Sequence, residues 1–273
     1  MRRLPIICLL TLLSAALTVQ ECSGQTSAGF HREAPLLAVA RRFIGRPYVA
    51  ATLEVNAPAE SLVVDTLHVD CTTYVDQVLA LTFAAEAGEG SDGTFCDWLT
   101  RIRYHEGVID GYASRCHYFT DLVDNMVRQG LLAPVHGRGM TERTITLNFM
   151  STHPDSYVQL KDDPIEQACI RETEQRFRAV RQRYYSKQKA AFFRHTTSPI
   201  HDGDVLALVT TVDGLDVSHL GFAVWVDDEL HLLNASMRQG SVVLDAQPLR
   251  DYLLGRRSCL GIEAWRPLIP TAE

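Results

Sequence analysis

The sequence has no long apolar run beyond its first twenty residues, no basic cluster and no closely spaced cysteine pair. The first absence leaves no internal segment of membrane-spanning length, since a spanning helix needs about 20 apolar residues. The second argues against nucleic acid as a partner, because phosphate binding requires a concentrated basic surface. Here 26 Lys and Arg face 33 Asp and Glu, for a net charge of −7. The third removes the Cys-x-x-Cys signature of a zinc knuckle or a thioredoxin-like motif. His68, His105, His117, His195 and His231 show no ligand spacing, and Asp202-Gly203-Asp204 reads as a turn without the rest of a calcium loop. No metal or other cofactor is therefore expected. Repeats, low-complexity tracts and dividing linkers are also missing, so the bulk of the chain reads as one domain.

What is present begins with an export signal. Met1-Arg2-Arg3 is basic, Ile6 to Leu17 is apolar, and Gln20 to Gly24 is polar with small residues. That order predicts a signal peptide over residues 1–24, with cleavage near Gly24 or Ala28. Cys22 does not mark a lipid anchor, because Val19-Gln20-Glu21 lacks the small apolar residues such a site prefers. Residues 25–273 form the expected single domain, soluble, monomeric and exported to the periplasm or cell envelope. They keep Cys71, Cys96, Cys116, Cys169 and Cys259. An odd count in an oxidising compartment leaves at least one thiol free. Buried free thiols are the expected account for most of them, ahead of a Cys96–Cys116 disulfide.

The chain divides into helices first and strands last, an α+β layout. Pro35 to Phe43 reads as a helix stopped by Gly45-Arg46-Pro47. Tyr48 to Val55 and Leu62 to Val64 look extended. Further helices are expected from Asp70 to Gly88, Asp97 to Tyr104 and Tyr118 to Arg128, and Thr144 to Phe149 alternates like a strand. Pro164 to Tyr185 reads as a charged helix of roughly six turns. Val205 to Thr210, His219 to Val226 and Leu230 to Ala235 follow with short turns between them, which predicts an antiparallel meander.

Asp70 is a natural N-cap, which places Cys71 in the first helical turn. Unpaired N–H groups and the positive dipole end favour a thiolate there, and a thiolate is the nucleophile of covalent amide cleavage. The alternative is an ordinary small apolar residue at a capped helix start. His219 opens a strand 148 residues downstream and is the candidate base. Along that strand His219, Gly221, Ala223 and Trp225 share one face, and Leu220, Phe222, Val224 and Val226 form an apolar face for the core. A four-residue connection over Val226 to Glu229 pairs Trp225 with Leu230 and sets His219 diagonal to Asn234, about 7–8 Å away and within side-chain reach. Asn234 is then the candidate orienting group, with Ser236 in reserve. A one-residue slip would send Asn234 to the other face.

Gly107 to Tyr118 mixes glycine, aromatic and charged residues, as suits sugar or peptide binding, and Tyr112 and Arg115 are its candidate contacts. Arg115 either pairs bidentately with a substrate carboxylate or ties loops together.

Asp70-Cys71-Thr72-Thr73, Ser218-His219-Leu220-Gly221-Phe222 and Leu233-Asn234-Ala235-Ser236 resemble the three motifs of NlpC-type cell-wall cysteine peptidases. Gly107 to Thr120 with Asp202-Gly203-Asp204 resembles, more narrowly, the N-acetylmuramoyl-L-alanine amidase-like branch, and the likeness runs from about Ala34 to Pro267. The resemblance implies a papain-like core, with helices carrying the nucleophile packed on a C-terminal antiparallel sheet. It also implies a peptidoglycan or muropeptide substrate cut at the muramoyl–L-alanine amide. The alternatives are a D,L-endopeptidase and a catalytically silent envelope-binding protein. Tyr48 matches a family tyrosine near the nucleophile and would steady the oxyanion beside the Cys71 N–H. Asp70, Thr72 and Ser218 join the implied substrate contacts. Thr72 stands where most members carry serine, which bears on the amine pocket of the endopeptidases, and Asn234 stands where histidine is frequent.

Overall fold

The computed structural model describes residues 35–54, 59–87 and 94–269. The proposed signal segment, with Cys8 and Cys22, and Gly88 lie outside these. Helices α1 (Pro35–Arg41), α2 (Cys71–Glu86), α3 (Phe95–Arg103) and α4 (Phe119–Arg128) come first. Strands β1 (Leu132–Pro134) and β2 (Thr141–Ile145), helices α5 (Phe149–Thr152) and α6 (Pro164–Arg176), strand β3 (Val180–Ser186) and helix α7 (Lys187–Ala190) lead into the sheet. It continues through β4 (Val205–Thr210), β5 (Val217–Val226), β6 (Glu229–Ser236) and β7 (Ser241–Leu244), then α8 (Leu249–Leu254) and β8 (Cys259–Pro267). The strand order is β2-β3-β8-β4-β5-β6-β7, antiparallel throughout, with β1 on the free part of β8. The layout is α+β, and among the described residues no helix is long and apolar enough to cross a membrane.

Helix α2 is the axis of the fold. From Thr73 to Phe83 all its residues but Leu81 are buried, so α2 is a core helix and not a surface one. Its Tyr74 ring meets Phe43 after α1 and Phe222 of β5 edge-on, each 5.6 Å between centroids. Phe83 meets Trp98 of α3 at 5.4 Å. Leu220, Phe222 and Val224 close this core from the sheet side, the face expected of them. The opposite sheet face is also covered: Ala223, Leu206 and Leu208 pack with Phe193 beyond α7 and with Leu249, Tyr252 and Leu253 of α8. Apolar burial on both faces, at roughly 25 cal/mol per Å², fixes where α2 meets β5.

The β5–β6 hairpin has the expected register, with Trp225 opposite Leu230 and Phe222 opposite Leu233. Asp227 and Asp228 take positive φ of 45° and 64°, the primed-turn geometry whose twist suits a two-residue hairpin loop.

Four expected elements differ. The long charged helix ends at Arg176, Ala179 turns with φ 56°, and 180–186 form β3. There Gln182, Tyr184 and Tyr185 are buried, and the segment pairs with β2 and β8; a free sheet edge outweighs a helical charge pattern. Tyr48 makes one bridge to Val69 before the chain turns at Ala51 with φ 57°. Leu62 to Val64 forms no strand, and the Val63 carbonyl accepts from Arg103 instead. Pairing of β2 stops at Ile145, and Phe149 opens α5.

Candidate active site

Asp70 caps α2 as its spacing predicts. One carboxylate oxygen accepts from the Thr73 N–H at 2.8 Å and from its hydroxyl at 2.9 Å, while the Asp70 N–H donates to that hydroxyl at 2.9 Å. The other oxygen accepts from the Thr52 hydroxyl at 3.2 Å. This reciprocal capping box makes Cys71 the first residue of the helix. It also engages both Asp70 oxygens, so Asp70 acts as a cap and is not placed to hold substrate.

Cys71 and His219 line one cavity of about 150 Å³, together with Thr72, Cys116, His117, Phe119, Asp216 and Ser218 among others. His219 reaches it through a local irregularity. Leu208 pairs with His219 but Val209 with Val217, so Ser218 is an extra residue in the ladder; such bulges re-aim side chains. Ser218 is exposed on the cavity wall. Behind His219, its Nε2 lies 2.9 Å from Asn234 Oδ1, and Asn234 Nδ2 donates to the Leu232 carbonyl at 3.2 Å. The second bond fixes the amide orientation. Oδ1 can only accept, so Nε2 carries the proton and Nδ1 of the neutral ring is left basic. Gly221 makes this possible: a Cβ there would stand 2.8 Å from the Leu233 carbonyl oxygen and 2.9 Å from Asn234 Cβ. Ser236, the reserve candidate, accepts from the Gln239 N–H instead.

Electrostatics differ from the helix-dipole expectation. Burial, then the Asp70 charge, pushes the Cys71 thiol up to about 11, against opposing hydrogen bonds from the Leu220 backbone, the Thr72 side chain and its own N–H. Burial also draws His219 down to about 4, opposed by the Asn234 bond and reinforced by the Arg256 charge. The resting pair is therefore a neutral thiol and a neutral imidazole. Desolvation of the charged forms outweighs the helix terminus, whose effect is about 0.3–1 kcal/mol. Tyr48, whose backbone N–H donates to the Gly240 carbonyl at 2.9 Å while its neighbours Pro47 and Val49 bond Val69, is pushed up to about 12 by burial, then by the Cys71 and Asp70 charges. Its hydroxyl therefore stays protonated near the thiol.

The two candidates from the mixed loop go elsewhere. The Arg115 guanidinium grips Glu60 with two bonds of 3.0 and 2.9 Å and donates to Glu54 at 3.0 Å. A further bond from Nη1 to the Leu53 carbonyl at 3.3 Å and an exposure of only 4% turn the guanidinium inward, so Arg115 ties loops together. Tyr112 is buried with its hydroxyl on Glu54 and borders a separate acidic hollow with Asp110, Asp163 and Glu166. Its contribution to the site is indirect, since its carbonyl bonds His117.

Sequence reasoning missed several neighbours. Tyr252 of α8 lies with its ring 6.5 Å from that of His219, and Arg256 sits 4.3 Å over the Tyr252 ring. Asp216 holds the Thr120 and Val217 N–H groups at 2.6 and 2.8 Å, joining α4 to β5. No spacing rule marks these; only for His117 was there a signal, its place in the mixed loop. All five cysteines of the domain are free. Cys116 and Cys259 are buried, whereas Cys96 and Cys169 are exposed, contrary to general burial. His105, Cys116 and Asp121 are the candidate metal cluster among the described residues, but His105 Nε2 already bonds the Asp121 carboxylate at 2.8 Å.

Residues 38–261 match the family described as AmiA-like, N-acetylmuramoyl-L-alanine amidase-like. No curated protein matches the sequence. Among solved structures, an N-acetylmuramoyl-L-alanine amidase from Bacteroides uniformis is 36% identical, with 85% of this chain and 98% of that one covered at a TM-score of 0.78. A Bacteroides fragilis protein assigned provisionally as a xylanase is 38% identical over 84% and 99% of the two chains, also at 0.78. A Legionella pneumophila protein at 24% identity, covering 87% and 90% with a TM-score of 0.62, shares the fold.

Proposed function

The chain belongs to the AmiA-like, N-acetylmuramoyl-L-alanine amidase-like family, and from that premise we propose an exported cysteine amidase that cuts the muramoyl–L-alanine bond of peptidoglycan fragments. The observation that carries it is a thiol at the first position of α2 sharing a cavity with an imidazole whose far nitrogen is held by Asn234.

In this reading His219 Nδ1 takes the Cys71 proton as substrate displaces water, and the thiolate attacks the lactyl carbonyl. The oxyanion forms beside the Cys71 N–H and the Tyr48 hydroxyl. The imidazolium returns its proton to the L-alanine nitrogen, the C–N bond breaks, and a thioester remains. Water loses a proton to the same Nδ1 and attacks that thioester, freeing the muramic acid carboxylate and the thiol. The resting neutral pair leaves Nδ1 free to accept the proton, and with the imidazole at about 4 and the thiol at about 11 the transfer is uphill until bound substrate and the oxyanion contacts stabilise the charges it creates.

A glycosidase would need two carboxyl groups across the scissile bond. Asp216 on the cavity wall is buried against two backbone N–H groups, so the cavity favours acyl transfer. Mass spectrometry of muropeptide digests tests the reading. Release of stem peptides beginning with L-alanine is expected. Sugar-linked L-alanine with cuts beyond D-glutamate would replace it with a D,L-endopeptidase. Cys71→Ser should abolish turnover without unfolding the protein; residual turnover at the wild-type rate would exclude the thiol as nucleophile.

A further inference from the structure

One imidazole on the cavity wall has no part in that mechanism. His117 precedes α4 and lines the same space as Cys71 and His219. Its Nε2 lies 2.8 Å from the Tyr112 carbonyl oxygen. A carbonyl can only accept, so Nε2 carries the hydrogen and Nδ1 keeps a lone pair. Among the described residues no group hydrogen-bonds Nδ1, nor is it among the side-chain atoms sealed away without a partner. The Tyr112 ring, 4.3 Å between centroids, holds the imidazole, and Arg115 holds Tyr112 through Glu54 and a 4.8 Å cation–π contact. Burial, then the Arg115 charge, lowers the His117 pKa to about 3, so this lone pair persists across the physiological range.

We propose that His117 is a specificity-determining residue, a tautomer-locked acceptor that binds an N–H or O–H donor of the substrate through Nδ1. The ligand class is an amide or sugar donor, both of which a muramoyl peptide carries; to that extent the inference rests on the proposed function. An anionic group would meet the lone pair with repulsion, and a fixed acceptor discriminates because a substrate lacking the donor leaves it unpaired. The structural alternative is that His117 only ties the loop to the Tyr112 carbonyl.

Two near-isosteric substitutions separate these roles. His117→Gln places an amide N–H where Nε2–H was, keeping the tie and losing the Nδ1 acceptor. His117→Asn places Oδ1 near the Nδ1 position, keeping the acceptor and losing the tie. With N-acetylmuramoyl-L-alanyl-D-isoglutamine as substrate, KM should rise about tenfold in the Gln variant and about twofold in the Asn variant. Such a change is the scale of one hydrogen bond, and kcat should be nearly constant. The same order should appear in Kd measured calorimetrically on Cys71→Ala versions of the three proteins. The reverse order, or equal loss of kcat with KM unchanged, would overturn the proposal. A sugar-free lactoyl peptide locates the donor: a Gln penalty that vanishes assigns it to the sugar, and one that persists assigns it to the peptide. A wild type that binds without cleaving sinks the amidase reading and leaves His117 judged on Kd alone. Absence of binding by any form overturns this inference as well.

Discussion

At the scale of single residues the site is a contest between burial and local polarity. Cys71 has the helix position that usually lowers a thiol pKa, yet desolvation and the adjacent carboxylate raise it. Asp70 therefore has two effects that can be separated. Asp70→Asn keeps a cap of similar strength while removing the charge beside the sulfur. Alkylation of Cys71 by iodoacetamide at pH 8 should become several-fold faster, with urea stability within about 1 kcal/mol of wild type. An unchanged alkylation rate would show that the carboxylate does not act on the thiol. Asp70 as cap and His219 beside Asn234 were legible from spacing and register. The fate of Arg115 was not, because the choice between binding a ligand and bonding Glu54 and Glu60 depends on partners 55 and 61 residues away.

Among elements, the β5–β6 hairpin carries the His219–Asn234 half of the proposed site. Its primed turn sets the register, and the register sets which residues face His219. Gly221 leaves room for the Asn234 side chain, so Gly221→Ala forces a Cβ against Leu233 and Asn234. A loss on the order of 1–3 kcal/mol is expected from such overpacking, with a fall in kcat as Asn234 is displaced from His219. Urea denaturation and steady-state kinetics check both; full activity in the variant would deny Asn234 its orienting role. Helix α2 provides the other half, and its start was readable because the cap, the first turn and the apolar positions agree. Strand β3 was misread for the opposite reason. Its alternating burial has meaning only beside β2 and β8, and its charges look equally at home on a helix.

For the whole molecule, half-buried histidines link stability to pH. His219 and His117 fall from 6.5 to about 4 and about 3. The unfolded chain therefore binds more protons below pH 6.5, and their contribution, complete above that value, is lost as pH falls toward 4 and 3. Asp76 and Glu263, raised by burial to about 6 and about 7, act in the opposite sense, losing stability as pH rises to those values. A variant isolates one term: in His117→Gln the stability difference between pH 7 and pH 4 should shrink by on the order of 2 kcal/mol. Urea midpoints at the two pH values measure it, and an unchanged difference would mean that His117 charges freely in the fold. The sequence by itself determined the helices-then-sheet layout, the capped Cys71 and the hairpin that faces Asn234 toward His219, because caps, periodicity and turn residues act over a few positions. Only the tertiary structure decided that thiol and imidazole rest uncharged, that Arg115 serves the fold, that His117 and Asp216 wall the cavity, and that the Tyr252 ring lies beside His219. Desolvation and the pairing of charges depend on which distant segments close over a group, and no local pattern in the chain records that.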